Sequence, residues 1–163
     1  LAQHLLAAGA RRLRFLTEPQ PASTIRQRIQ GVAQAVIDAG GTWRRRHAIE
    51  VGPDDTKALE ALFRGKGCPD AVVCRNDPLA ARLIQVLNRL GIDIPGSVRI
   101  AGFDDAAFAR YLTPALTSVR QPVARIAETA AETLFARIRR PDLPPKSIQL
   151  DVELVRRAST GQA

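Results

Sequence analysis

Ala71-Val72-Val73-Cys74-Arg75-Asn76-Asp77-Pro78-Leu79-Ala80-Ala81 decides the fold. Its first four residues are apolar throughout, the pattern of a short strand buried on both faces of a sheet. Asp77 then reads as a helix N-cap with Pro78 at the first helical position, where a missing N–H costs nothing. Leu79, Leu83, Val86, Leu87 and Leu90 recur at helical spacing, and Gly91 ends the helix. Val98-Arg99-Ile100-Ala101-Gly102-Phe103 supplies the next strand. A strand, a helix and a second strand in this order make a parallel crossover unit.

The same rhythm extends upstream. A first helix ends at Gly9 with Leu5 and Leu6 facing inward, and Leu13-Arg14-Phe15-Leu16 is a strand. Pro19 and Pro21 break the chain. Ser23 or Thr24 caps a helix whose apolar stripe is Ile25, Ile29, Val32 and Val36, closed by Gly40-Gly41. Ala48, Ile49 and Val51 mark a strand, and Asp54-Asp55 precede a helix carrying Leu59, Leu62 and Phe63. Such alternation predicts an α/β fold, a parallel sheet with helices on both faces.

Downstream the rhythm changes. Asp104-Asp105 read as the cap of a helix through Ala106 to Arg110. Leu116 to Val119 form a short strand, and Pro122 precedes a helix with Ile126, Ala130, Leu134 and Ile138. A Pro-rich linker covers 140–145. Ile148, Leu150, Val152 and Leu154 alternate with polar residues, as in a half-buried strand.

Composition narrows the function classes. The formal charge of +8 is carried almost wholly by arginine, and a basic balance can signal nucleic acid. The basic residues are scattered, however, and the clusters Arg11-Arg12-Arg14 and Arg44-Arg45-Arg46 sit beside loops. No helix-turn-helix, zinc-finger or basic-zipper pattern occurs, so the charge reads as compositional. No apolar run is long enough to cross a membrane as a helix. The opening Leu1-Ala2-Gln3-His4-Leu5-Leu6 lacks a basic flank and an initiating Met, which predicts a fragment rather than a signal peptide. Cys68 and Cys74 form no metal-ligand spacing, Cys74 reads as a small core residue, and a reducing cytoplasmic compartment fits both. Neither a phosphate-binding glycine loop nor a nucleophile elbow occurs, and His4 and His47 have no motif partner. These absences predict a protein that is not an enzyme and needs no cofactor or metal.

Ligands of open parallel sheets bind beyond the carboxyl ends of the strands. Thr24 and Arg28, four apart, share one helix face there, and a guanidinium offers a rigid fork of donors. Asn76 and Asp77 follow the central strand, and Asp77 offers acceptors suited to paired hydroxyls. Each has a plainer reading beside this one: Asp77 as a cap, Arg28 as a solvated helix residue. Trp43 could stack on a sugar ring, but its place in the sequence favours packing at a strand edge.

The ordered set of segments resembles the LacI/GalR family of bacterial transcriptional regulators. Asn76-Asp77-Pro78-Leu79-Ala80 looks like that family's N-D-x-x-A element. Leu90-Gly91-Ile92-Asp93-Ile94-Pro95, Val98 to Asp105, and Leu112-Thr113-Pro114-Ala115-Leu116-Thr117 follow at the family's spacing. Gly9 to Leu16 and Arg28-Ile29-Gln30-Gly31 resemble its G-H-R-R-I-A-F-I and R-x-x-G elements.

The resemblance implies a periplasmic-binding-protein-like domain of two α/β lobes with the ligand between them. It assigns about 12–105 plus 146–156 to an essentially complete C-terminal lobe. About 1–10 and 106–140 become pieces of a partial N-terminal lobe. It implies a small-molecule effector, a sugar above all, bound by Thr24, Arg28, Asn76 and Asp77. It further implies a cytoplasmic homodimer, without membrane contact, that reaches operator DNA through a helix-turn-helix domain absent from this sequence. A periplasmic or secreted sugar-binding protein of the same fold is the competing expectation. Thr17-Glu18-Pro19 stands where the family commonly has G-G-P, which leaves the identity of the ligand open.

Overall fold

The computed structural model describes residues 1–65 and 67–161. Helix α1 spans Ala2–Ala7, and strand β1 spans Leu13–Thr17. Helix α2 (Ser23–Asp38) is followed by a short 3-10 turn, Arg45–His47, and by β2 (Ala48–Glu50). Then come α3 (Thr56–Ala61), β3 (Ala71–Cys74), α4 (Asp77–Arg89) and β4 (Arg99–Phe103). A second 3-10 turn at Ala107–Tyr111 leads to β5 (Thr117–Arg120), α5 (Val123–Arg139) and β6 (Glu153–Val155). The strands lie in the order β2-β1-β3-β4-β5-β6, all parallel except β6, which runs antiparallel to β5.

The period of two along each strand sorts its side chains between two cores. Leu13, Phe15, Ala71, Val73 and Ala101 turn to the face covered by α1 and α2. Leu16, Val72, Cys74 and Ile100 turn to the face covered by α3 and α4. Helix α4 is the central brace. Its Leu83 and Leu87 are fully buried, each worth about 2 kcal/mol of transfer free energy. The stripe of α4 is consumed by this core, and only Leu90 stays substantially open, at 39% exposure. It therefore offers no broad apolar face to a partner.

The parallel fold with helices on both faces agrees with the sequence reading, and several local expectations need correction. Ala22, not Ser23 or Thr24, caps α2, and no side chain closes that cap. Asn76 caps α4 by accepting from Leu79 N at 3.1 Å, which moves Asp77 to the first helical position. Asp104 and Asp105 do not cap a helix; Ala106 precedes the 3-10 turn without a side-chain cap. The last strand is confined to Glu153–Val155, with Ile148 and Val152 about half exposed.

Leu5 of α1 is fully buried with Phe15, Ile25 and Val73, because α2 and β1 offer it the nearest apolar surface. Strand β5 pairs with β4 and joins the same sheet. Helix α1 and β5 thus pack on and pair with this sheet. Helix α5 has no buried residue.

The tail closes back under the sheet. Ser159 donates to Ile100 O at 2.6 Å and accepts from Thr117 N at 2.8 Å. Thr160 shares hydrogen bonds with Thr117 and His4. Every hydroxyl buried there has a partner, as buried polar groups require.

Candidate functional site

Strands β1, β3, β4 and β5 deliver their carboxyl ends to one edge of the sheet, and Arg28 reaches over that edge from the second turn of α2. Its guanidinium lies flat on Phe103, 3.5 Å from the ring centroid, and donates to Arg75 O at 2.8 Å. Stacking and a hydrogen bond together fix a side chain that would otherwise lose considerable rotamer entropy on binding. Burial holds the Arg28 pKa below its usual value, and Arg75 adds to that; Asp104 works in the opposite direction. The Asp104 charge thus lies near enough to favour the charged form of Arg28. Asp104 is exposed and accepts from Gln121 Nε2 at 2.6 Å.

Asp104 and Asp105 have φ of 101° and 49°, a region that non-glycine residues rarely occupy. Such strain persists only where surrounding contacts over-determine it. Asp77 supplies those contacts. One carboxylate oxygen accepts from Ala106 N at 2.7 Å, and the other accepts from Ser118 Oγ at 2.6 Å. Ser118 Oγ in turn accepts from Asp105 N at 3.0 Å. The Asp77 side chain is therefore a buried staple across the 104–106 turn.

The sequence reading has Asp77 presenting acceptors to a ligand; in the structure both of its oxygens are engaged and the residue has no exposed surface. Burial raises its pKa. The Ser118 and Ala106 hydrogen bonds oppose that rise, and Asp104 and Asp105 reinforce it.

The other expected site residues are placed as follows. Thr24 is exposed, one turn before Arg28 on α2. Asn76 is half-buried at the same edge, with its oxygen used as the cap of α4. Arg75 pairs with Glu18 at 2.9 Å, while its Nε is buried without a partner. Asp105 faces away from the edge, held by Arg157 at 2.6 Å and Arg120 at 2.7 Å. Burial pushes its pKa up, and the hydrogen bonds and charges of Arg157 and Arg120 overcome this, leaving it below the ordinary value.

Sequence reasoning did not single out Phe103 or Gln121, and it placed Asp104 and Asp105 at a ligand-binding strand end while reading them as a helix cap. The adjacent carboxylates were the available signal, but spacing does not separate the one near Arg28 from the one held by Arg157. A shallow depression of about 480 Å³ continues from Arg28 and Phe103 along α2 to Leu1 and Val152. The edge offers a fixed cation, an aromatic face, a carboxylate and an amide. These are donors and acceptors for a polyhydroxylated ligand, with no nucleophile–base pair among them. No group of side chains among the described residues could hold a metal ion.

Comparison with known proteins agrees with this geometry. Residues 2–160 match the periplasmic binding protein-like domain. The chain is 35% identical over 161 residues to the HTH-type transcriptional regulator GalR of Escherichia coli K12. That alignment covers 96% of this chain and 47% of GalR. It superposes with a TM-score of 0.83 on a LacI family transcriptional regulator from Enterococcus faecium with bound ribose. The two are 25% identical, and the match covers 98% of this chain and 60% of that one. With the regulator CelR in its cellobiose complex the TM-score is 0.87 at 27% identity, over 97% of this chain and 49% of that one. The chain thus spans about half the length of the regulators it matches in sequence. It belongs to the periplasmic-binding-protein-like domain family, in the form carried by LacI/GalR-type transcriptional regulators.

Proposed function

We propose that this chain is one wall of the effector cleft of a LacI/GalR-type regulator, and that the effector is a sugar. The observation that carries the reading is the stacked Arg28–Phe103 pair with the Asp104 charge near it at the strand ends. Arg28 donates to ring or hydroxyl oxygens, Asp104 accepts from hydroxyls, and Thr24, Asn76 and Gln121 add neutral partners. Asp77 contributes from beneath by holding the turn that aims Asp104. The ribose and cellobiose held by the two structural relatives support a sugar as the ligand class.

The opposite wall comes from a second lobe, to which the exposed helix α5 and residues 140–152 lead. Effector binding closes the lobes and shifts a homodimer between two states that differ in operator affinity, a coupling of two sites through one equilibrium. The protein works in the cytoplasm as a regulator and not as an enzyme. No described helix is long and apolar enough to cross a membrane. Titration calorimetry of the two-lobed protein with ribose, galactose and cellobiose tests the proposal. A saturable sugar complex lost in Arg28→Ala supports it, and equal sugar affinity in Arg28→Ala overturns it.

A further inference from the structure

The opposite end of the sheet carries a second concentration of polar chemistry. Two arginine clusters, far apart in sequence, meet there. The parallel pairing of β1 with β2 sets Phe15 against Ala48, so Arg14 and the 3-10 turn Arg45–His47 arrive side by side at the amino ends of the two strands. Arg11 and Arg12 precede β1, and Arg44 precedes the turn. None of Arg11, Arg12, Arg14, Arg44, Arg45 and Arg46 appears in an ion pair among the described residues. Asp70, the nearby carboxylate, is taken up by the backbone amides of Arg11 and Arg12 at 2.8–3.1 Å. The guanidinium groups of Arg11, Arg12 and Arg14 donate to the backbone carbonyls of Ala10, Cys68 and Leu13, which leaves their remaining N–H groups without a carboxylate partner among the described residues.

A depression of about 490 Å³, lined by Arg11 and Arg14 of this group, opens between α1, α2 and the loop from Gly41 to His47. That volume lies within the range of small-molecule sites. Arg11, Arg14 and His47 line its polar side with Gln3, Thr42 and the carboxylate of Asp38, which accepts from Gln34 Nε2 at 2.7 Å, and Leu6, Val36 and Trp43 line its apolar side. His47 Nδ1 accepts from Arg44 N at 3.3 Å, which leaves Nε2–H as a donor. Burial and the charges of Arg14, Arg46 and Arg44 hold the His47 pKa below its usual value, so the ring is neutral at physiological pH. The Trp43 indole packs edge-on to His47, with ring centroids 5.4 Å apart. Guanidinium forks match phosphate oxygens in a bidentate manner, and an indole face suits a flat ring.

We propose that this depression is a second ligand site for an organic phosphomonoester. Its phosphate is held by Arg11, Arg14 and His47, and its ring lies against Trp43. The site stands roughly 13 Å away from the sugar edge, the length of β1. It does not depend on the sugar reading.

Trp43 is the only tryptophan of the chain, so its fluorescence reports on this end of the sheet. The test titrates the chain at physiological salt with AMP, adenosine and inorganic phosphate. The expected result is a saturable change in emission with AMP, and affinity about tenfold weaker or worse for both adenosine and phosphate. Arg14→Gln and, should that variant fail to fold, the exposed Arg11→Gln lower AMP affinity by about tenfold or more. Arg28→Gln, at the other end of the sheet, leaves the titration unchanged. The proposal is overturned by no response to AMP, by equal affinity for AMP and adenosine, or by variants that titrate like the parent. It is equally overturned if duplex DNA of arbitrary sequence, and not AMP, moves Trp43 emission at that salt. The arginines would then be a phosphodiester-backbone patch.

Discussion

Gly102 leaves open the space that Asp77 fills. A Cβ built on Gly102 collides with Oδ1 of Asp77 and lies 3.0 Å from a Leu116 methyl carbon. The glycine sits in mid-strand on β4, where an ordinary residue would strengthen the sheet. Its absent side chain is what lets a carboxylate on α4 reach across the sheet edge to Ser118 on β5.

Gly102→Ala is therefore expected to destabilise the fold by about 2–3 kcal/mol, the range for forcing extra volume into a packed interior. Denaturant unfolding checks it. A variant within about 0.5 kcal/mol of the parent, the range of an ordinary surface change, would show that the contact relaxes freely.

Asp77→Asn replaces one of two acceptor oxygens with a donor, and both Ser118 Oγ and Ala106 N are donors. The expected cost is about 1.5–3 kcal/mol of stability, the value of hydrogen bonds to a charged group. Ser118→Ala removes the shared partner, so a double-mutant cycle should give a coupling of about 1 kcal/mol or more. Additive losses would mean that the two side chains do not act together.

Acid stability should depend on Asp105. Its folded pKa lies below the ordinary value of 3.8 because of Arg157 and Arg120. Its contribution is present above that ordinary value and is lost as pH falls through the lower folded one. Asp77 has the opposite sign. Its folded pKa is raised, so its contribution is greatest below the ordinary value and fades as pH rises through the folded one. Asp105→Asn should thus flatten the acid limb of a stability–pH profile and lower stability near neutrality by about 2 kcal/mol. An unchanged slope below about pH 4 would place the acid sensitivity elsewhere.

Sugar affinity of the chain by itself should be weak. Arg28 and Asp104 stand at an open edge, where their hydrogen bonds compete with water and yield little net free energy. The expected Kd is about 1 mM or weaker, roughly 4 kcal/mol of binding free energy. Duplex DNA should bind only at low salt and without sequence preference, since phosphate attraction is all that this surface offers. Micromolar sugar binding, measured by calorimetry on the 163-residue chain, would contradict the half-cleft account.

The sequence by itself determined the sheet, its parallel sense and the helices on both faces. Apolar strands such as Ala71–Cys74 and helical stripes such as Ile25, Val32 and Val36 express local periodicity, and periodicity survives in one dimension. Only the tertiary structure decided which carboxylate does what. Asp77, Asp104 and Asp105 follow strand ends alike in sequence. One is stapled beneath the turn, one lies near Arg28, and one is buried against Arg157. Those fates depend on Ser118 and Gly102, remote in the chain from Asp77, and on Arg157, remote from Asp105, which meet only in the folded sheet. Long-range hydrogen bonds and charges leave no period in a sequence. The convergence of Arg14 with Arg44-Arg45-Arg46 was hidden for the same reason, since a parallel register brings together segments separated by a whole helix.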